Sequence, residues 1–257
     1  MTTDSIQSPG QSPGEKPDTA APETHAFEAD VSKLLHMMVH SVYSDKDVFL
    51  RELISNAADA CEKLRYEAIA NPALLGDDPL SKITITLDPD QRRLTIADNG
   101  IGMTAADMGE TLGTIARSGT KAFMDRIAAQ NSGTKTGEGA DTQLIGQFGV
   151  GFYSAFMVAD KVDVISRRAG SDGAAQWSSD GQGTYTIAPV PIETAPAHGT
   201  RIVLHLMEDA KDYAERWQVE RVVKAQSGHV PVPIELLDKP DAESTRIADG
   251  TALWTRP

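Results

Sequence analysis

One stretch of the chain places an acid, an amide and a second acid at helical spacing. Glu52, Asn56 and Asp59 occur in the sequence ELISNAAD. At about 100° per residue they share one narrow stripe of a helix, beside an apolar stripe. A solvated polar face is the ordinary explanation of such a pattern. Asparagine, however, has poor helix propensity and gains nothing in the middle of an exposed helix, which favours a binding role here.

Two glycine-containing blocks supply complementary chemistry. Asp98 ends the strand pattern LTIAD and opens the turn NGIGM, where Gly102 lets the backbone approach a ligand and Met103 can pack on a flat ring. The carboxylate could accept a hydrogen bond from an exocyclic amine, which adenine has and guanine lacks at the equivalent position. The block GQFGVGF, residues 146–152, puts glycines at the start of a predicted helix, where backbone N–H groups favour an anion. Each block alone is weak evidence, since Asp and Gly are ordinary turn formers.

Together the three blocks predict an ATP site that is not of P-loop design. The order Gly-x-x-Gly-x-Gly-Phe differs from the dinucleotide motif, and no Gly-x4-Gly-Lys-Ser/Thr occurs in the sequence. In such a site, the Asn56 oxygen suits a Mg²⁺ that already holds phosphates and water. Glu52 could orient, or take a proton from, a water that attacks the γ-phosphate. Asp59 is better placed to order neighbouring side chains or water.

Composition limits the classes of protein that the chain can belong to. The 257 residues have a net charge of −13, which argues against a nucleic-acid partner. No apolar run approaches the roughly 18 residues of a membrane span, and the N-terminal residues do not resemble a signal peptide. The single cysteine, Cys61, fits a reducing compartment and is expected to be a buried helix residue. We therefore predict a cytoplasmic protein that does not bind membranes.

The chain divides into a polar prefix and one folded domain. Residues 1–24 are rich in Ser, Pro, Gly and Thr and predict a disordered tail, with order beginning near Phe27 and a domain over residues 25–257. Periodicity predicts helices at 47–69, 104–112, 120–130, 150–158 and 212–225, and strands at 83–87, 94–97, 161–167, 175–179, 184–190, 200–206 and 230–236. This mixture favours an α+β, two-layer sandwich, in which helices cover one face of a mostly antiparallel sheet.

The blocks resemble the ATPase superfamily shared by heat-shock-90 chaperones, type II topoisomerases, MutL-type repair proteins and sensor histidine kinases. The segments FLRELISNAADA (49–60), LGTIARSGT (112–120), IGQFGVGFYSA (145–155) and GTRI (199–202) are most similar to the chaperones. The resemblance covers about residues 26–256 and is to the N-terminal ATPase domain of the bacterial heat-shock-90 chaperones.

That resemblance implies a Bergerat-type fold that binds ATP or ADP with Mg²⁺ beneath a lid at about residues 111–146. It implies Asp98 and, through water, Thr200 at the adenine, Asn56 at Mg²⁺, and Glu52 as the hydrolytic carboxylate. The other binding positions that it implies are Asp59, Gly102, Met103, Leu112, Arg117, Gly149, Val150, Gly151 and Phe152. Two positions depart from the family pattern. Arg117 stands where many relatives have Lys, and Thr111 replaces an Asn that lies near the ribose in eukaryotic members.

The expected function is therefore that of an ATP-dependent chaperone domain, cut from a longer protein before its middle domain. The family resemblance implies client proteins and a homodimer for the full-length protein, and a monomer with weak ATPase activity for the isolated domain. A DNA-processing ATPase is an alternative that the acidic composition disfavours. A sensor kinase is a second alternative, although such domains usually lack the Glu52 equivalent. A nucleotide-gated binding module without useful hydrolysis is a third.

Overall fold

The computed structural model describes residues 21–27, 45–113 and 151–250, and these ranges contain one nine-stranded sheet. The strands are β1 (Glu23–Ala26), β2 (Ile83–Asp88), β3 (Arg93–Asp98), β4 (Ala159–Arg167), β5 (Ala174–Ser179), β6 (Thr184–Val190), β7 (Gly199–Leu206), β8 (Ile234–Leu237) and β9 (Thr245–Ala248). Their order across the sheet is β1-β6-β5-β4-β7-β3-β2-β8-β9. All neighbours are antiparallel except β2 and β8. The prediction of a mostly antiparallel sheet is confirmed.

Alternating side chains give the sheet one buried face. In β2, the buried Ile83, Ile85 and Leu87 alternate with half-buried polar residues, as the period of two in a strand requires. The register of the central strands also aligns polar residues. Thr200 of β7 pairs with Asp98 of β3 on one side and with Ser166 of β4 on the other. Three polar residues therefore lie in a row across three adjacent strands.

Three α-helices and several tighter turns accompany the sheet in the described ranges. The α-helices are α1 (Val48–Ala70), α2 (Ala105–Leu112) and α3 (Arg216–Val222). The 3₁₀ segments are Pro72–Leu75, Gly151–Met157, Ile192–Thr194 and Glu208–Ala214, and a π-helical turn covers Val223–Ser227. Helix α1 packs on β2, β3 and β7, and α2 packs on β5 and β6. The buried side of α1 and the apolar sheet residues form one core, so the predicted α+β sandwich is confirmed.

A buried carboxylate fixes the beginning of α1. Asp47 precedes the helix and accepts hydrogen bonds from the Tyr213 hydroxyl and from Arg221 Nη2, both at 2.7 Å. These donors lie about 170 residues further along the chain, so they tie the start of α1 to the α3 region. The helix that carries the polar stripe therefore has a fixed position over the sheet.

Several elements differ from the sequence expectation. The segment predicted as helix 150–158 is a 3₁₀ turn where described, and the predicted helix 212–225 is divided among 3₁₀, α and π turns, with extended backbone at Glu215. The strand predicted at 230–236 begins at Ile234, and β9 was not predicted. Strand β1 begins at Glu23, four residues before Phe27, because its backbone pairs with β6. The predicted helix 120–130 lies outside the described residues.

Candidate functional site

A cavity of about 450 Å³ lies between α1 and the central strands of the sheet. Ten of the residues predicted to form the site line it, namely Glu52, Asn56, Asp59, Asp98, Gly102, Met103, Leu112, Gly151, Phe152 and Thr200. The structure therefore brings together the helix stripe, the glycine turn after β3 and the described part of the third block. Arg117, Gly149 and Val150 lie outside the described residues, as does most of the predicted lid at 111–146.

Helix α1 directs its polar stripe into the cavity. Glu52, Asn56 and Asp59 line the cavity together with Lys63, one further turn along, while Leu53 and Ala57 supply apolar wall. Partial burial raises the pKa of Asp59 above its ordinary value. The helical spacing of the sequence thus gives the predicted arrangement of polar side chains.

The Glu52 carboxylate is held between an arginine and a glycine. Arg51 donates to Glu52 Oε1 from Nη2 at 2.6 Å and from Nε at 3.2 Å. Glu52 Oε2 lies against Gly151, where a Cβ atom would overlap it. The side chain of Glu52 is only 13% exposed. One carboxylate oxygen is therefore paired with Arg51, and the other lies at the start of the Gly151–Met157 turn. The pairing with Arg51 was not predicted, since adjacent residues on a helix normally diverge.

Asp98 is a buried carboxylate at the end of β3. Its Oδ1 accepts the backbone N–H of Gly100 at 2.9 Å. Burial raises its pKa from 3.8 to about 7, although backbone N–H groups of Gly100 and Thr200 act in the opposite direction. A buried carboxylate with few partners is suited to accept a hydrogen bond from a ligand that supplies a donor.

Two glycines allow the backbone segments around Asp98 to pack closely. Gly102 has φ +67°, and a Cβ there would overlap the backbone carbonyl of Arg167. Gly199 has φ +99°, and a Cβ there would overlap the backbone carbonyl of Asp98. Both positions need glycine for the left-handed backbone and for the close approach. Gly102 was expected to let the backbone turn tightly and approach a ligand, whereas Gly199 was not predicted as a site residue.

Ser166 connects the parts of the site that lie on the sheet. It is fully buried, and its Oγ accepts the Met103 backbone N–H at 2.8 Å. The same oxygen lies 2.8 Å from the Gly199 carbonyl oxygen and 2.9 Å from Thr200 Oγ1. Ser166 was not predicted, because a serine within a strand pattern gives no signal of contacts with a neighbouring strand and a distant turn.

His198 supports the turn after Asp98 and does not line the cavity. Its ring is buried, with Nδ1 3.1 Å from the Gly100 carbonyl oxygen and Nε2 3.3 Å from the Leu75 carbonyl oxygen. It therefore links the turn to the Pro72–Leu75 segment. This histidine was also missed, and its position directly before the Gly199-Thr200 pair is the one signal that could have drawn attention to it.

A set of charged residues surrounds the cavity beside the start of α2. Thr104 and Asp107 form a capping box, and the Thr104 backbone N–H keeps the pKa of Asp107 below its ordinary value. Arg168 Nη2 lies 3.3 Å from Glu67 Oε2, and Arg168 Nη1 lies 4.0 Å from Asp107 Oδ2. Arg168, Asp107 and Lys63 line the cavity but were not predicted as site residues.

The residues of the cavity fit a metal ion that arrives with phosphates. The described part of the chain contains no group of three His, Cys, Asp or Glu side chains that could hold a metal ion by itself. Asn56 offers a neutral oxygen at the cavity wall, which suits a Mg²⁺ whose other ligands are phosphate oxygens and water.

Among the described residues, no helix is both long enough and apolar enough to cross a membrane.

Comparison with known families identifies the kind of ATPase to which the domain belongs. Residues 43–212 match the sequence model described as "Histidine kinase-, DNA gyrase B-, and HSP90-like ATPase". This chain belongs to that ATPase family. The predictions of the family and of an ATPase domain are confirmed, and the Bergerat-type fold agrees with the observed sheet and helices.

Individual relatives of this HSP90-like ATPase are bacterial chaperones. The chain is 68% identical over 240 residues to "Chaperone protein HtpG" of Mesorhizobium japonicum, covering 93% of the chain and 37% of that protein. It is 68% identical over 235 residues to the HtpG of Rhizobium meliloti, covering 91% and 36%. It is 50% identical over 235 residues to that of Rhodospirillum rubrum, with the same coverage. The chain thus spans little more than a third of the length of these relatives.

Proposed function

We propose that this domain binds ATP in the cavity and hydrolyses it, as the N-terminal part of a longer ATP-dependent chaperone. The observation that carries the proposal is the convergence of Glu52, Asn56 and Asp98 on one cavity. A helix supplies the first two side chains, and a strand end supplies the third. The family match and the chaperone relatives support the class of reaction and the biological setting.

The sheet end of the cavity would hold the adenine. Asp98 accepts from the exocyclic amine, and Thr200 lies beside it in the strand register. Met103 and the apolar residues Ile96 and Ile202 line the same cavity and give the base an apolar contact surface. The Asp98 carboxylate is therefore the proposed determinant of adenine recognition.

The helix end of the cavity would hold the phosphates. Asn56 would hold Mg²⁺ through its amide oxygen. Glu52 would orient a water toward the γ-phosphate and accept its proton as the water oxygen bonds to phosphorus and ADP leaves. Arg51 orients the Glu52 carboxylate through the 2.6 Å contact. The backbone N–H groups at Gly151 and Phe152 begin a helical turn beside Glu52, and we assign them, with residues 149 and 150, to the phosphate oxygens.

The partners and the compartment that we propose are those of the full-length chaperone. We propose unfolded or client proteins and a second copy of the full-length chain as partners, and the cytoplasm as the compartment. The isolated domain would be monomeric, and its hydrolysis would be slow because the remainder of a longer protein supplies further contacts. The relatives' greater length supports this division of the activity.

Calorimetric titration with Mg-ADP tests the site. We expect saturable binding to the wild-type chain and a loss of at least about tenfold in affinity for Asp98→Asn, because the amide offers its N–H₂ toward the adenine amine. Asp90→Asn is the control, since Asp90 is an exposed turn residue and the same charge is removed. Equal ADP affinity of Asp98→Asn and the wild type would refute the adenine assignment.

A further inference from the structure

The hydrogen bonds of Ser166 can be assigned a direction by counting protons. A serine hydroxyl has one O–H to donate and two lone pairs to accept with. The Gly199 carbonyl oxygen only accepts, so the Ser166 proton is directed to it at 2.8 Å. The Met103 backbone N–H only donates, so it occupies one lone pair of Ser166 Oγ. The remaining contact, to Thr200 Oγ1 at 2.9 Å, must therefore be donated by Thr200.

This direction determines what Thr200 can offer to a ligand. Its hydroxyl proton is committed to Ser166, which is fully buried and does not line the cavity. Thr200 itself lines the cavity, so only its oxygen lone pairs remain available there. Asp98, its neighbour in the register, also presents acceptor oxygens when it is ionised. These two side chains therefore present acceptors to the ligand and favour a base edge that carries donors.

We propose that Ser166 is a positioning residue that sets base selectivity by keeping the Thr200 hydroxyl proton out of the cavity. This inference rests on the proposed function, because it takes the base to lie beside Asp98 and Thr200. The ligand class is a purine with an amine at position 6. Hypoxanthine, although it has a donor at N1, is disfavoured because its carbonyl oxygen at position 6 meets lone pairs. Ser166 also holds the Met103 backbone N–H, which fixes the turn beside Asp98.

The test compares two nucleotides whose bases differ at position 6 and in the proton on N1. The dissociation constants of Mg-ADP and Mg-IDP are measured calorimetrically for the wild type, Ser166→Ala and Ser166→Thr. In Ser166→Ala the Thr200 proton loses its acceptor and can be donated to the hypoxanthine oxygen. We expect the IDP-to-ADP ratio of dissociation constants to fall about tenfold, the effect of one buried hydrogen bond. Ser166→Thr keeps the hydroxyl and should retain the wild-type ratio.

Ser179→Ala is the matched control for a loss of stability. Ser179 is also a buried strand serine, and its Oγ donates to the Thr184 carbonyl at 2.7 Å and accepts the Gly181 N–H at 3.0 Å. It does not line the cavity, so its removal should leave the nucleotide ratio unchanged while lowering the urea midpoint. If Ser166→Ala acted only by disturbing the fold, it would weaken the binding of ADP and IDP equally and would leave their ratio unchanged.

Two further measurements separate the possible outcomes. In a Thr200→Val background, Ser166→Ala should no longer change the ratio, since there is no hydroxyl proton to release. A ratio that is unchanged in folded Ser166→Ala, or that falls equally in the Thr200→Val background, overturns the inference. If Ser166→Ala does not fold, Ser166→Cys serves instead, because a thiol is a weak acceptor and should also lower the ratio. Failure of the wild type to bind Mg-ADP would refute the proposed function instead.

Discussion

Raising the pH should destabilise the nucleotide-free domain through Asp98. This side chain is only 9% exposed, and burial raises its pKa from 3.8 to about 7. In the unfolded chain the same carboxyl is already ionised at pH 5. The folded state therefore binds more protons between these two values, so the free energy of unfolding falls as the pH rises through that range. Above about pH 7 the destabilisation is complete, and below about pH 4 it is absent.

The size of the effect follows from the two pKa values. A difference of about three units corresponds to about 4 kcal/mol at 1.36 kcal/mol per unit, as an upper limit. Part of this loss of stability occurs below pH 5, because the carboxyl of the unfolded chain already ionises there. Water that enters the cavity relieves some of the burial. We therefore expect about 2 kcal/mol between pH 5 and pH 8 from Asp98 alone.

Urea denaturation at pH 5 and pH 8 measures this contribution when Asp98→Asn is compared with the wild type. The asparagine cannot ionise, so the stability of the variant relative to the wild type should increase by about 2 kcal/mol between the two pH values. Subtracting the variant cancels the titration of every other group. Asp90→Asn, in the exposed turn between β2 and β3, should keep the wild-type pH dependence. Parallel pH dependence of the wild type and Asp98→Asn would refute the assignment of a raised pKa.

Three further predictions concern the helix end of the cavity and the residues behind it. Glu52→Gln should lose ATP turnover by at least about a hundredfold while binding ADP normally. The control is Glu62→Gln, on the exposed side of α1, which should hydrolyse ATP at the wild-type rate. Turnover that persists in Glu52→Gln would refute the proposed role of Glu52. Gly151→Ala should lower turnover more than ADP affinity, because its Cβ displaces the Glu52 carboxylate, whereas Gly173→Ala, with open space at its Cβ, should change neither. Steady-state kinetics measures the turnover and calorimetry measures the ADP affinity. Equal effects of Gly151→Ala and Gly173→Ala would contradict the packing argument. The buried thiol of Cys61, whose pKa burial raises to about 12, should resist iodoacetamide at pH 8 until urea unfolds the chain. Mass spectrometry would measure the fraction of the protein that is alkylated. Rapid labelling of the folded chain would contradict the burial of Cys61.

The helix that carries the chemistry could be predicted because its signal is local. Helix α1 was expected at residues 47–69 and is found at Val48–Ala70. The stripe of Glu52, Asn56 and Asp59 needs only the helical period to bring its members together. Strands β2 and β3 were likewise evident from alternating side chains. Asp98 could be identified because it ends a strand and opens a glycine turn.

The supporting residues could not be predicted because their contacts depend on the register of distant strands. Ser166 meets Met103, 63 residues away, and Thr200, 34 residues away. His198 meets Gly100 across 98 residues. Serine and histidine in a strand or loop pattern have many possible partners, and the sequence does not indicate which strand lies beside which. The edge strands were missed for a related reason, since β1 forms through backbone pairing and not through alternation of its side chains.

The two halves of the site differ in how their geometry is determined. On α1, the relative positions of Glu52 and Asn56 follow from the helix alone, and Asp47 fixes that helix against the rest of the fold through Tyr213 and Arg221. On the sheet, the relative positions of the base-recognition groups follow from the register of three strands and from the hydroxyl of one buried serine. Changes to the sheet row should therefore alter which base is bound, and changes to the helix stripe should alter turnover. The two elements meet at the cavity, where a nucleotide would contact both, so one bound molecule can report on the geometry of each.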